Sequence, residues 1–593
     1  MTRLLKCGWV CVITVFGTVL LTVAASWSAT TALVKEELLT TTSGIGPSGG
    51  RLVVALRAEP KTLNPLTATD APSREVLGRL HADLIHINRG TQKTEAALAR
   101  SWKVSPDGRS YTLELRRGIR FSDGQPFDAD DVVFSFQVYL DDNVHSPQRD
   151  LLVIKNKPIT VVKIDSYTVR FNLAEPYAAA ERLFDSVAIL PRHLLETAYK
   201  QRELAQTWNL ATSPAQMAGL GAFRLKEYVA GQRVVLEKNP YYWKQDSRHN
   251  RLPHVNELVF LFVPSEDAQA LRFQAGETDI LNRIGADNYG SLVAQQQNRR
   301  FKLYDLGPGL EDNFLFFNLN DLSNKSLPQI ARKQEWFRNL KFRQAVSAAA
   351  DREGIVRLVY QGRATPLWGN VTPGNRLWLD TALPHPSRSL ERARQLLREA
   401  GFSWMPDGAL IDALGQRVEF TIAVSSSNAQ RSKMATIVQD DLKQLGMKVQ
   451  VVPLDFRALV DRLLKSSDYE ACMFSIGSGD ADPNGEMNVW MSNGSTHLWD
   501  LGRSKPATPW ESEMDQLMEQ QLTTLKYTAR KKLYDRVQEI VAEDLPIIPL
   551  ASPNILVGAK SSVGNFQPAI LDPYTLWNAD ELYVNSDALA QVR

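Results

Sequence analysis

The chain has 593 residues, with 68 basic against 66 acidic side chains and a formal net charge of +2. That balance lacks the basic excess of a nucleic-acid binder and the acidic run of a tail, so no nucleic-acid partner is expected. The length exceeds what one hydrophobic core serves, and two or more domains are expected.

Arg3 and Lys6 precede an apolar run from Gly8 to Ala25, which ends in the small residues Ala24, Ala25, Ser26, Ser28 and Ala29. Residues 1–28 therefore read as a secretory signal peptide, with an uncleaved membrane anchor as the alternative because the run can span a bilayer. Neither Cys7 nor Cys11 follows the small-residue box that lipidation uses. Cys472 is then the one cysteine of the mature chain, so no intramolecular disulfide is expected, and its apolar setting reads as a buried strand. Residues 29–50, rich in Thr, Ser and Gly, read as a flexible linker. Arg51–Leu56 is a strand, and Glu59–Pro65 an extended loop because each proline biases its predecessor away from helix. A helix over Ser73–Leu80 and a strand over Leu84–Ile87 follow.

Residues 99–137 carry the densest pattern. Asp107-Gly108 lies between two extended runs, a hairpin signal. Tyr111, Leu113 and Leu115 then alternate with polar residues at the period of a half-buried strand. A second turn, Ser122-Asp123-Gly124, leads to Asp128, placed as a helix N-cap with Asp131 three residues on. Val132, Phe136 and Leu140 give the helix that follows one apolar face. A strand is expected over Thr168–Leu173.

Further on, Val255–Val263 reads as a strand, Ala268–Gly276 as a helix, and Phe314–Asn318 as a fully buried strand by its unbroken apolar run. Helical patterns surround Phe342–Arg352 and Ser389–Gly401, the latter stopped by a glycine. Strand Val418–Val424, helix Asn428–Leu445 and strand Val449–Val452 alternate as α/β units do. One long helix is expected over Glu511–Glu543, then a last strand, Ile547–Leu550.

Several of these runs, taken in order, resemble one family. They are Glu59-Pro60 to Pro65, Leu98-Ala99-Arg100-Ser101-Trp102, Ser105-Pro106-Asp107-Gly108, Arg116-Arg117-Gly118 to Gly124, Ala129-Asp130-Asp131-Val132 to Ser135, Asn239-Pro240-Tyr241-Tyr242-Trp243, Gly276-Glu277-Thr278-Asp279 and Arg343-Gln344-Ala345. The match is to the family 5 extracellular solute-binding proteins of ABC importers, which include dipeptide, oligopeptide and nickel receptors. It covers roughly residues 51 to 580. The chain departs from the pattern where Leu220 and Ala222 stand in place of Thr and Pro.

The resemblance implies an α/β, bilobal type II periplasmic binding protein fold with an extra subdomain in the first lobe. Residues 51–90, 91–218 (the accessory subdomain) and 219–315 would form the first lobe, 316–548 the second, and 549–593 a return to the first. It also implies a periplasmic receptor, anchored if the N-terminal segment is retained. Such a receptor captures a small solute in the interlobe cleft and delivers it, as a monomer, to permease and ATPase subunits in the inner membrane. A peptide is the default ligand; an oligosaccharide or a metal complex is the alternative, and an exported hydrolase is the alternative of another class.

Catalytic patterns are missing from the sequence. No Gly-x-Ser-x-Gly run stands between a strand and a helix as a nucleophile elbow must, and there is no phosphate-binding Gly-Lys-Ser/Thr loop. The eight histidines are scattered, and the pairs His81/His86 and His249/His254 are five apart, unsuited to one helix face. No enzyme activity, cofactor or metal is expected.

The site candidate is Cys472–Pro483, where a strand breaks into Gly477-Ser478-Gly479 and two acids. Glycines there permit close approach of a ligand. In the absence of the resemblance, the aspartates could equally cap the next helix. The peptide receptors of the family carry an Asp after this strand that pairs with the peptide α-ammonium, and Asp480 is the counterpart, with Asp482 open because the loop is one residue shorter. Trp490, Asn493, Gly494 and Trp499 are expected either at the cleft or, for the tryptophans, in the core.

Overall fold

Among the described residues, twelve strands form the largest sheet, and it runs through both lobes. The computed structural model describes residues 35–585 except 155–156, 186, 297–299, 324–326 and 478. The expected signal segment 1–28, the first residues of the expected linker and Ser478 lie outside the described residues. Along the sheet the order is Phe223–Val229, Arg233–Lys238, Glu257–Phe262, Arg51–Leu56, Ile280–Leu281, Ile547–Lys560, Glu311–Phe317, Ala471–Gly477, Glu419–Ser425 and Lys448–Leu454.

Ile547–Lys560 is shared between the lobes. Its first residues pair with Glu311–Phe317 and its later ones with Phe301–Pro308. The chain thus crosses between lobes at two adjacent places, near 308–311 and 551–554. Gly309 joins the crossings: its N–H donates to Pro553 O at 3.0 Å, and its carbonyl accepts from Ser552 Oγ at 3.2 Å. The strand is longer than the Ile547–Leu550 read from the sequence, where Pro549 and Pro553 argue against a central strand. Pro549 falls at a register break opposite Phe314, and Pro553 at the crossing opposite Ala364, so neither interrupts a regular ladder.

Two large apolar cores flank the crossings. One gathers side chains from Leu52 to Phe260 together with Ala559–Leu582; the other runs from Phe314 to Ala551. The antiparallel sheet Ala99–Val104, Ser110–Leu115, Thr168–Asn172, Thr160–Asp165 contributes to the first of these cores, as does the helix Ala129–Leu140. Tyr111, Leu113 and Leu115 are buried, as their alternation requires. Asp128 and Asp131 form a reciprocal capping box, in which Asp128 N–H donates to Asp131 Oδ2 at 3.1 Å and the Asp128 side chain accepts from Asp131 N–H; Asp130 N–H also donates to Asp128 Oδ1, at 2.8 Å.

Two expectations change. The helix expected over Glu511–Glu543 is two, Pro509–Thr523 and Tyr527–Asp544. Thr524 turns extended between them, and Arg530 of the second helix donates to the Gln521 carbonyl at 3.0 Å near the end of the first. The break brings Leu525 against the hairpin turn of the other lobe, where Gly108 has φ +69° and a Cβ would lie 2.5 Å from Leu525. Residues 36–50, expected as part of a flexible linker, instead lie along the first lobe. Leu39–Thr40 pairs with Lys244–Gln245, Glu36 pairs with Arg251, and Glu37 N–H donates to Arg117 O at 2.9 Å. Basic partners for the two glutamates and a free strand edge hold a segment whose composition alone reads as loose.

Candidate ligand-binding site

Ala471–Gly477 is a second-lobe strand paired along its whole length with Glu311–Phe317, so its end at Gly477 emerges opposite Glu311, beside the crossings. Cys472 is fully buried within it. At the end of the strand Gly477 is exposed, as is Gly479. Two acids follow with different fates.

Asp482 is a structural residue of the second lobe. Its side chain takes two bonds from Arg530, at 2.7 and 2.6 Å, and caps the turn Pro483–Glu486 through Asn484 N–H at 3.0 Å. Both members of the pair are nearly fully buried. Asp480 faces the other lobe. Its carboxylate accepts two bonds from Arg182, Nε to Oδ2 and Nη2 to Oδ1, and one from Ala481 N–H at 2.6 Å. Arg182 stands on the short helix Ala180–Leu183 of the first lobe. Burial works against its charge, but Asp480, together with Asp482 and Asp185, more than offsets that and holds the guanidinium above its ordinary pKa.

The lobes meet around this pair. Ala178 N–H donates to Leu522 O at 2.8 Å, and Gln92 Nε2 to Gly374 O at 2.9 Å. Asn375 Nδ2 donates to Ala481 O at 2.8 Å and fixes the acidic loop from the second-lobe side. Arg182, Gln92 and Gly374 escape sequence reasoning. They sit in segments with no motif, and only the topology brings them to Asp480.

The structure gathers Gly477, Gly479 and Asp480 at this seam. Trp490 and Trp499 fall on the packing side of their alternative: both are buried, they pack 5.6 Å apart in the second core, and Trp490 Nε1 donates to the half-buried Glu486 at 2.7 Å. Asn493 is exposed, and Gly494 packs against the Asn488 backbone. Beneath the tryptophans, burial raises the pKa of Asp312 strongly and that of Glu486 as well.

One group of side chains has metal-ligand composition: Asp83, His86 and Asp185 bring donor atoms within 4.8 Å of one another. These residues do not fit a cation well, because the group carries its own positive charges. Arg89 Nη2 lies 3.0 Å from Asp185, and His86, though opposed by burial, is held above its usual pKa by Asp185 and Asp83. The group ties segment 83–89 to the accessory subdomain. A cavity of about 690 Å³, lined in part by this group, is walled by first-lobe residues such as Glu75, Arg79, Tyr139 and Trp243. No helix among the described residues is long and apolar enough to cross a membrane.

A family profile described as "Bacterial extracellular solute-binding proteins, family 5 Middle" matches residues 93–497. Oligopeptide-binding protein AppA of Bacillus subtilis is 25% identical over 517 residues, 86% of this chain and 88% of that protein. Heme-binding protein A of Haemophilus influenzae is 28% identical over 501 residues, 82% of this chain and 83% of that protein. In fold, the crystal structure of the ABC transporter substrate-binding protein CtaP from Listeria monocytogenes superposes with a TM-score of 0.73 at 23% identity, covering 91% of this chain and 99% of that one. The fold is thus that of the type II periplasmic binding proteins. The chain belongs to the family 5 bacterial extracellular solute-binding proteins, the receptors of ABC importers, which are not enzymes.

Proposed function

We propose that the protein captures a peptide in the cleft between its lobes, closes over it by bending at the paired crossings, and delivers it as a periplasmic monomer to a membrane permease and its ATPase. Asp480, on the loop Gly477–Asp480, receives the peptide α-ammonium. The observation that carries this reading is the Asp480 carboxylate at the lobe seam, already paired with a cation from the opposite lobe. A site that accommodates a guanidinium in two bonds suits an ammonium in the same place. Backbone hydrogen bonds plus one charged anchor need no particular side chain, which suits a ligand class as varied as peptides.

Native mass spectrometry of the protein purified from its own cells tests the ligand class. A ladder of co-purifying peptides is the expected result. A haem, a sugar or a metal complex in their place would overturn it. Calorimetry then tests the anchor: Asp480→Asn is expected to weaken a free-amine tripeptide by two decades or more while leaving its N-acetyl form little changed.

A further inference from the structure

Asp480 holds a cation supplied by the protein itself, and the surroundings of that cation show that it is positioned rather than incidental. Arg182 Nη1 and Nη2 donate to Gln92 O at 3.3 and 3.2 Å, so the guanidinium is aimed from within its own lobe. Gln92 is buried, takes the left-handed backbone at φ 63°, and spends its side chain on Gly374 O across the seam. Asp480 is fixed from the other side by Ala481 N–H and by the Asn375 bond to Ala481 O. Two prepositioned groups from opposite lobes therefore meet in fork-to-fork geometry, the strongest arrangement a guanidinium and a carboxylate can make.

We propose that Arg182 is a specificity-determining residue of the cleft: its guanidinium and a ligand's ammonium are alternative partners for the Asp480 carboxylate, and the exchange between them selects which amines bind. This rests on the reading of Asp480 as the ammonium anchor. The exchange trades a planar, two-bond partner held in place by Gln92 for a single ammonium. A simple amine gains nothing else and loses the exchange. A peptide brings backbone hydrogen bonds along the cleft and wins it. Arg182, once displaced, keeps the Gln92 carbonyl and remains in the field of Asp185 and Asp482, both of which favour its charge. The arginine thus works as a filter that passes peptides and rejects small amines, and it sets a ceiling on peptide affinity.

The test is calorimetric titration of the full protein and of Arg182→Met, Arg182→Lys and Asp480→Asn with tri-alanine, N-acetyl-tri-alanine and ethylamine. Arg182→Met is expected to bind tri-alanine about tenfold more tightly, to leave the N-acetyl peptide unchanged, and to show ethylamine binding that the parent lacks. Arg182→Lys, which keeps the charge but not the fork and preserves a seam cation if the methionine variant folds poorly, is expected to lie between. Tri-alanine affinity unchanged or weakened in both arginine variants, with binding lost in Asp480→Asn, overturns the filter and leaves the anchor standing. If Asp480→Asn binds tri-alanine like the parent, or if none of the four proteins binds it, the anchor reading fails and the filter fails with it.

Discussion

Neutralising Asp482 should unfold the second lobe far more readily than neutralising Asp480, although the two stand two residues apart in one loop. Asp482 is 6% exposed and Arg530 4%. Their two bonds measure 2.7 and 2.6 Å, the guanidinium lies 4.8 Å over the Trp378 ring, and its Nε donates to Gln521 Oε1 at 2.9 Å. Asp482→Asn leaves Arg530 charged and buried with neutral acceptors only, the Gln521 carbonyl and Oε1 and Asn484 Oδ1, a change that costs about 3–5 kcal/mol. That is a large share of the roughly 5–15 kcal/mol that holds an ordinary domain together. Adding Arg530→Met to the same protein removes the stranded charge and should recover most of the loss, since a buried pair replaced by apolar groups is often neutral. The Asp480–Arg182 pair has 27% and 14% of its side chains exposed, so Asp480→Asn should cost only about 1 kcal/mol. Urea unfolding followed by tryptophan fluorescence gives all four midpoints. The reasoning is refuted if Asp482→Asn unfolds at the parent's midpoint but no longer binds ligand, because Asp482 would then be an anchor and not a clamp.

Two further outcomes are expected. His81 is 8% exposed, stacks on Trp208 with ring centroids 5.7 Å apart, and its ring nitrogens have no hydrogen-bond partner among the described residues; burial pushes its pKa down to about 4. A folded value below the unfolded one, near 6.5, means that stability is whole above pH 6.5 and is lost as pH falls towards 4, by about 3 kcal/mol. His81→Phe should flatten that part of the pH–stability curve, and an unchanged slope in urea titrations at pH 7, 5.5 and 4 would count against it. Gly374→Ala should loosen the seam, because a Cβ there would lie 2.3 Å from Pro308 O and 2.7 Å from Gly309 O, both backbone atoms at the crossing that cannot swing aside. Ligand affinity should fall at least tenfold with circular dichroism unchanged, and parent-like affinity would show that this contact does not govern closure.

Much of the fold is written in local patterns because local patterns are made by local physics. The capping box at Asp128 and Asp131, the alternation at Tyr111–Leu115 and the apolar run at Phe314–Phe317 each report a neighbour within a few residues in the chain or one buried face. Patterns mislead where a distant partner overrules them. Residues 36–50 look loose until Arg117, the edge at Lys244 and Arg251 are supplied by segments between 80 and 215 residues further along the chain. Ile547–Lys560 looks like a short strand until its two prolines are seen to fall where its partner strands change.

The site divides along the same line, and the division explains why local spacing leaves Asp482 open beside Asp480. Both follow a strand and a glycine-bearing loop, and both stand close before Pro483, so every local criterion applies equally. What separates them is which cation reaches each carboxylate. Arg530 comes from a helix of the same lobe and stays with Asp482 whenever that lobe is folded. Arg182 comes from the opposite lobe, so its bond to Asp480 exists only while the lobes are together. A carboxylate whose partner arrives with closure is sensitive to closure, and one whose partner is built in is not. The proposal of Asp480 as ligand anchor therefore rests on the lobe membership of two arginines, a property of the topology that no spacing within residues 477–483 encodes.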